Sequence, residues 1–177
     1  MSPVSVNHPS QIVEYNADWP TQFAEEEVRL RAGMPGAVLS FEHVGSTAVA
    51  GLPGKPVVDI LMLLDHSPLT FDERDKLAIL GYGEVMERPD GSAMFVHLNP
   101  DFTLHISQPG YGHATELVTF RDQLRADPRL RDFYGELKRL LARMYSGDLV
   151  AYTKAKAPFV EQVTSRALAD AEANPAG

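Results

Sequence analysis

The chain contains no cysteine, which excludes disulfides, thiolate zinc sites and a cysteine nucleophile. It has no apolar run near the roughly 18 residues that a membrane span requires. The opening stretch MSPVSVNHPSQIVEYN lacks both a basic region and an apolar h-region, so it does not read as a secretory signal. These absences make a cytoplasmic location, with no membrane contact, the expectation. Positive charge is also scarce: 16 Lys and Arg against 24 Asp and Glu give a formal net charge of -8. Duplex nucleic acid, which needs a broad basic surface, is therefore a disfavoured partner. A local basic pocket for one small anion is compatible with that balance. Internal repeats and low-complexity blocks are absent as well.

What is present suits one folded unit. The 177 residues are 44% apolar and 23% charged, enough to bury a core and too apolar for general disorder. We expect a single domain over 13–170, with flexible segments at 1–12 and 171–177. Asp18 is placed to cap a helix that starts at Trp19-Pro20 and continues through Met34. Glu25/Arg29 and Glu27/Arg31 stand at the i,i+4 spacing. Glu25, Glu26 and Glu27 read as that helix's wet face, and Trp19 as packing where it begins. Val38 to Phe41 and Val57 to Leu64 read as buried strands. Thr70-Phe71-Asp72-Glu73 is a capping box and Gly81 a stop, which predicts a helix over 71–80. Met94–Leu98 and Phe102–Ile106 flank Asn99-Pro100-Asp101 as a hairpin. The last third has helical spacing: Leu117, Phe120 and Leu124, then Leu130 to Met144 after Asp127-Pro128. A final stretch carries Tyr152, Phe159, Val160 and Val163, with Pro158 as a kink or a first-turn residue. The order is α+β: a mixed sheet flanked by helices, with a helical C-terminal third.

The run Val57–Leu64 is apolar except for Asp59. A carboxylate inside such a strand needs a metal, a basic partner or a strand-end position to offset its desolvation. Upstream, Gly45-Ser46-Thr47 makes a turn able to offer N–H groups and hydroxyls to phosphate oxygens, and Lys55 adds a cation. The same residues also read as an ordinary Gly-Ser turn and a hydrogen-bonded strand-end acid; spacing does not choose between the two.

The segment His43-Val44-Gly45-Ser46-Thr47-Ala48-Val49-Ala50-Gly51-Leu52-Pro53-Gly54-Lys55-Pro56-Val57-Val58-Asp59-Ile60 closely resembles the HIGSTSVPGLAAKPIIDI signature of the GrpB (UPF0157) family. Tyr15-Asn16-Ala17-Asp18-Trp19-Pro20 resembles the family's opening. Leu104-His105-Ile106, Phe120-Arg121-Asp122-Gln123-Leu124-Arg125, Tyr134 to Lys138 and Tyr152-Thr153-Lys154-Ala155-Lys156 resemble its later blocks. The resemblance runs from Val13 to Ala167 and implies the nucleotidyltransferase fold. It implies a turn (Gly45, Ser46, Thr47) that holds phosphates, followed by a strand bearing two metal-binding acids separated by one residue. Asp59 is the first of these; the second position holds Leu61.

Three histidines, His43, His97 and His105, fall in or near the proposed strands. If the hairpin turns about Asp101, His97 and His105 are opposite one another on one face. His105, with His97 or His43, is then a candidate to join Asp59 as metal ligand or proton-transfer group; each also reads as a histidine satisfied by ordinary hydrogen bonds. Arg121 and Arg125 share one helix face, and Lys138 and Lys156 follow on later helices. Convergence would make them an anion pocket; otherwise they are a solvated face paired with acids. The resemblance raises Arg121, Lys138 and Lys156. Tyr134 and Tyr152 are candidates to stack on a base or to serve as core.

Three functions follow as expectations. The first is transfer of a nucleoside monophosphate from a nucleoside triphosphate to an unidentified acceptor, with Mg²⁺ or another divalent metal on Asp59 and His105. Phosphates would lie on Gly45, Ser46, Thr47, Lys55, Arg121, Lys138, Tyr152 and Lys156. The second is a non-catalytic nucleotide- or anion-binding or chaperone-like accessory module, which Leu61 favours; GrpB-like domains also occur fused to dephospho-CoA kinases. The third, a metal-dependent phosphohydrolase, would use similar groups with water as acceptor.

Overall fold

A central strand apolar at nearly every position must be covered on both faces, and β2 (Val58–Leu64) is. The computed structural model describes residues 11–36, 38–99 and 101–173. The flexible segments expected at the two ends fall mostly outside those residues, as does Pro100 of the hairpin turn. In the described part the element order is α1 (Trp19–Gly33), β1 (Val38–Val44), a 3₁₀ turn (Ser46–Ala48), β2, α2 (Phe71–Ile79), β3 (Tyr82–Glu87), β4 (Ala93–His97), β5 (Phe102–Ser107), α3 (Gly112–Ala126), α4 (Pro128–Met144) and α5 (Leu149–Ala173). The strands form one five-stranded sheet in the order β1-β2-β5-β4-β3. β2 runs parallel to β5, and the other pairs are antiparallel. The architecture is the α+β mixed sheet with flanking helices expected from the sequence. Among the described residues no helix is long and apolar enough to cross a membrane.

The two-residue period of a strand sorts β2 between the faces. Val58, Ile60, Met62 and Leu64 join Trp19, Leu30, Leu69 and Leu77 in the larger core, beneath α1 and α2. Leu61 and Leu63 face the other way and pack with Val44, Ala114 and Leu117 under α3. Asp59 is on that second face too, beyond the edge of α3's cover. A third cluster, Val49, Leu52, Leu124 and Tyr134, seats α3 and α4 on the segment after the 3₁₀ turn.

Local signals fix most boundaries. Thr70 Oγ1 accepts from Glu73 N at 3.3 Å while Thr70 N donates to Glu73 at 2.8 Å, the reciprocal capping box of α2. Asp127 Oδ1 accepts from Arg129 N at 2.8 Å and Leu130 N at 3.2 Å, opening α4 at Pro128.

Several sequence expectations need correcting. Asp18 occupies the cap position of α1 but its carboxylate caps nothing; its own N–H is held by Asn16 Oδ1 at 2.9 Å. Of the two places expected for Pro158, the structure has the interior of α5, which runs through Ala173. Strand β3 went unread because a bulge between Glu84 and Met86 breaks its alternation. The hairpin register pairs Met94 with His105 and Val96 with Thr103. His97 is therefore on the opposite face from His105, against Tyr82 and Phe102.

Glu26 is also not part of a wet face; it is buried. Tyr82 Oη donates to it at 2.6 Å and Arg29, rather than pairing with Glu25, binds it through Nε at 2.8 Å. Arg29 also donates to Leu80 O at 2.9 Å, fastening α1 to the start of β3. Glu27/Arg31 pairs as expected, at 2.8 Å. Tyr82→Phe removes one charge-assisted hydrogen bond from this knot while Arg29 still neutralises Glu26. The expected loss, read from the urea midpoint at unchanged slope, is about 1.5–3 kcal/mol; an unshifted midpoint contradicts the assignment.

Candidate functional site

Beyond the edge of α3 the second sheet face opens into a cavity of about 330 Å³. Its floor is the residues that the strand period puts on that face: Asp59 on β2, Thr103 and His105 on β5, Met94 and Val96 on β4, with Val57 just before β2. Its walls come from the 3₁₀ turn (Ser46), the following loop (Lys55), α4 (Lys138) and the first turns of α5 (Leu149, Tyr152, Thr153, Lys156). Residues far apart in sequence thus supply cationic and apolar groups to one cavity.

The turn is held in place before any ligand arrives. Gly45 has φ 70° and ψ -166°, a conformation open essentially to glycine alone. A Cβ there would stand 2.9 Å from Asp59 Cβ and Cγ and nearer still to Oδ2. Gly45 therefore serves by letting the turn and Asp59 lie against each other. Thr47 is buried, and its Oγ1 lies 2.9 Å from His43 Nε2. His43 stacks on Phe23 at 4.8 Å, and burial pushes its pKa down to about 4. Thr47 and His43 satisfy each other, and of the turn only Ser46 lines the cavity.

Three lysines, Lys55, Lys138 and Lys156, line the cavity together with Ser46 and Asp59. Lys138 is 2% exposed; its Nζ donates to Ser46 Oγ at 2.7 Å and to Pro53 O, over the Tyr134 ring at 4.9 Å. Burial pushes its pKa down to about 7, with Lys156 lowering it further and Asp59 opposing. Burial likewise lowers Lys55 to about 8, and lowers Lys156, against the pull of Asp59. Lys55 and Lys156 lie 4.7 and 5.5 Å from the centre of the Tyr152 ring, so that tyrosine supports cations. Tyr134 stacks on Phe159 at 5.2 Å and is core.

On the floor, His105 Nε2 is 3.4 Å from Asp59 Oδ1, and its Nδ1 is 3.3 Å from His113 Nε2. A carboxylate only accepts, so the His105 Nε2–H points at Asp59; in the neutral ring Nδ1 then accepts from His113. Burial, with the neighbouring His105, lowers the His113 pKa to about 4.

The arginines do not join this group. Arg121 donates to Glu42 at 2.7 Å, His43 O at 3.0 Å and Asp122 at 2.8 Å, pinning α3 to β1 outside the cavity. Arg125 grips Ala48 O at 3.0 and 2.8 Å, bracing the 3₁₀ turn from behind. Of the proposed phosphate-binding residues, the structure brings Ser46, Lys55, Lys138, Tyr152 and Lys156 together, and leaves Arg121 elsewhere. Thr103, Met94 and Val96 escaped the sequence reading, although two-residue steps along the hairpin from His105 reach the first and the correct register reaches the others. His113, at the start of α3, carried no sequence signal.

The donor set does not fit a resident Mg²⁺, which favours about six oxygen ligands with carboxylates prominent. Asp59 is the one carboxylate lining the cavity. Leu61 is fully buried where a second acid would project. Among the described residues no group of three or more His, Asp or Glu is arranged to hold a metal.

The fold is a nucleotidyltransferase-like α+β mixed sheet with flanking helices. Residues 9–166 match the family described as GrpB protein, and the chain belongs to that family. It is 34% identical over 158 residues to the UPF0157 protein BH1888 of Halalkalibacterium halodurans, spanning 88% of this chain and 81% of that one. The crystal structure of conserved protein GrpB from Enterococcus faecalis superposes with a TM-score of 0.80 at 27% identity, covering 90% of this chain and 98% of that one. A more distant likeness, to the Cid1 poly(U) polymerase with Mg 3'-dATP bound, has a TM-score of 0.54 at 15% identity over 81% of this chain and 49% of that one; it speaks to fold alone. A dephospho-CoA kinase of Mycobacterium tuberculosis is 25% identical over 187 residues, covering 90% of this chain and 46% of the kinase.

Proposed function

We propose that the cavity binds the phosphate chain of a nucleotide and that the chain is a nucleotide-binding module on a nucleotidyltransferase fold. The observation that carries this is that Lys55, Lys138 and Lys156 line one cavity with Ser46 and a single carboxylate, in a chain of net charge -8. Burying ammonium groups is unfavourable without an anion to meet them, and a polyphosphate supplies several charge-assisted partners. The apolar lining residues Val57, Met94, Val96 and Leu149 suit a base and ribose. The ligands named with the Cid1 structures, Mg 3'-dATP and MgGTP, support nucleotide as the class of anion.

Calorimetric titration with the four common ribonucleoside triphosphates tests this. Binding of at least one, in the micromolar to low millimolar range, with inorganic triphosphate retaining part of the affinity, is the expected result. No heat and no thermal shift at millimolar ligand would sink the proposal.

The Asp59–His105 contact favours a second reading, transfer of a nucleoside monophosphate to an acceptor or to water, with His105 moving the proton. That reading requires pyrophosphate release from the bound triphosphate, lost in His105→Ala without loss of binding. The partial match to a dephospho-CoA kinase and the buried Leu61 favour the non-catalytic module instead.

A further inference from the structure

A nucleotide site built on one acid and three lysines differs in kind from one built on two acids. From this difference we infer that the ammonium groups of Lys55, Lys138 and Lys156 occupy the electrostatic place of a divalent metal, and that the cavity takes its polyphosphate as the free, metal-free anion. The inference rests on the reading of the cavity as a phosphate-chain site.

Charge is the first support. Three ammonium groups and the Asp59 carboxylate sum to the charge of one divalent ion when the lysines are protonated. Anion binding favours that protonated state. Position is the second. Lys138 is tied to Ser46 Oγ at 2.7 Å, so its charge stands at the 3₁₀ turn. Lys55 and Lys156 are fixed against the Tyr152 ring and converge from a different element each. These are preorganised cations, and phosphate oxygens can meet them directly.

The third support is what surrounds Asp59. Leu61 is sealed against Val44 and Ala114, so neither β2 nor α3 can bring a second carboxylate to the place beside it. A hydrated divalent cation entering the cavity would face three like charges and one acid. Chelation by Mg²⁺ would also take up the phosphate oxygens that the lysines need. Metal and lysines therefore compete for the same ligand atoms.

Titration with inorganic triphosphate and with ATP, once in EDTA and once in excess MgCl₂, tests the inference. Expected is binding in EDTA, weakened at least tenfold by saturating Mg²⁺. Binding that requires Mg²⁺, or that tightens with it, overturns the inference and leaves the nucleotide reading standing. Absence of binding in both conditions removes both. The isosteric Asp59→Asn separates the cases again: removing the one negative charge is expected to tighten metal-free binding several-fold, whereas an acid that held a metal would lose binding when neutralised. Lys55→Met with Lys156→Met, checked for an unchanged circular dichroism spectrum, is expected to lower the metal-free affinity at least tenfold. Unchanged affinity in that double variant also overturns the inference.

Discussion

Lys138→Met is expected to abolish most triphosphate binding and at the same time to raise the melting temperature of the ligand-free protein. The two effects have one cause. Lys138 is 2% exposed, and burial drags its pKa from 10.5 to about 7. At about 1.4 kcal/mol for each tenfold in proton affinity, this amounts to a penalty of several kcal/mol. Methionine fills a similar volume without that penalty. It orphans Pro53 O, which costs about 1–3 kcal/mol. The net expectation is a gain of about 2 kcal/mol, or about 5 °C in melting temperature for a chain of this size. Binding loses a fixed charged contact, so affinity is expected to fall about 30-fold or more.

The pH dependence has a definite sign. Between about 7 and 10.5 the unfolded chain carries a proton on residue 138 that the folded chain has released. Stability of the free protein therefore rises with pH across that window. Lys55, lowered to about 8, contributes in the same direction, so the slope shrinks in Lys138→Met without vanishing. Ligand affinity runs the other way: it falls as pH climbs past about 7 to 8, because the anion binds the protonated lysines. A variant that lost binding and also melted lower would make Lys138 a structural prop for Ser46 and Pro53, not a ligand-directed charge.

Gly45→Ala is expected to be the most damaging small substitution in the turn. Alanine is strained at φ 70° and ψ -166°, and its methyl carbon would meet Asp59 Cβ and Cγ at 2.9 Å. Strain and overlap together should cost about 3–5 kcal/mol, lowering the melting temperature by about 10 °C. Because half of the cause is contact with Asp59, the double variant Gly45→Ala/Asp59→Gly should recover part of the loss, a non-additivity of about 1–2 kcal/mol. Strict additivity, or a loss below about 0.5 kcal/mol for Gly45→Ala alone, contradicts this description of the turn.

Much of this was legible before any coordinates. The Thr70/Glu73 capping box, the Asp127-Pro128 start and the unbroken apolar run of β2 are local or periodic signals, and each gave its element. Ser46, Lys55 and Asp59, which line the cavity, lie within one short stretch whose spacing carries the family resemblance. The failures share a cause: they depend on which residue meets which across the fold. A register displaced from the Asp101-centred turn moved His97 to the far face and put Met94 opposite His105. Glu26 looked solvated because nothing near it in sequence announces Tyr82 as its partner. Arg121 pins α3 to β1, a role that a motif cannot distinguish from phosphate binding. His113 joins His105 only because α3 begins where β5 ends.

The most direct test of the central claim is a crystal structure of the chain grown with ATP in EDTA. The phosphate chain is expected against Lys55, Lys138, Lys156 and Ser46 Oγ, with the base over Val57, Met94 and Val96. ATP bound at another surface, or an empty cavity at saturating nucleotide, would contradict it.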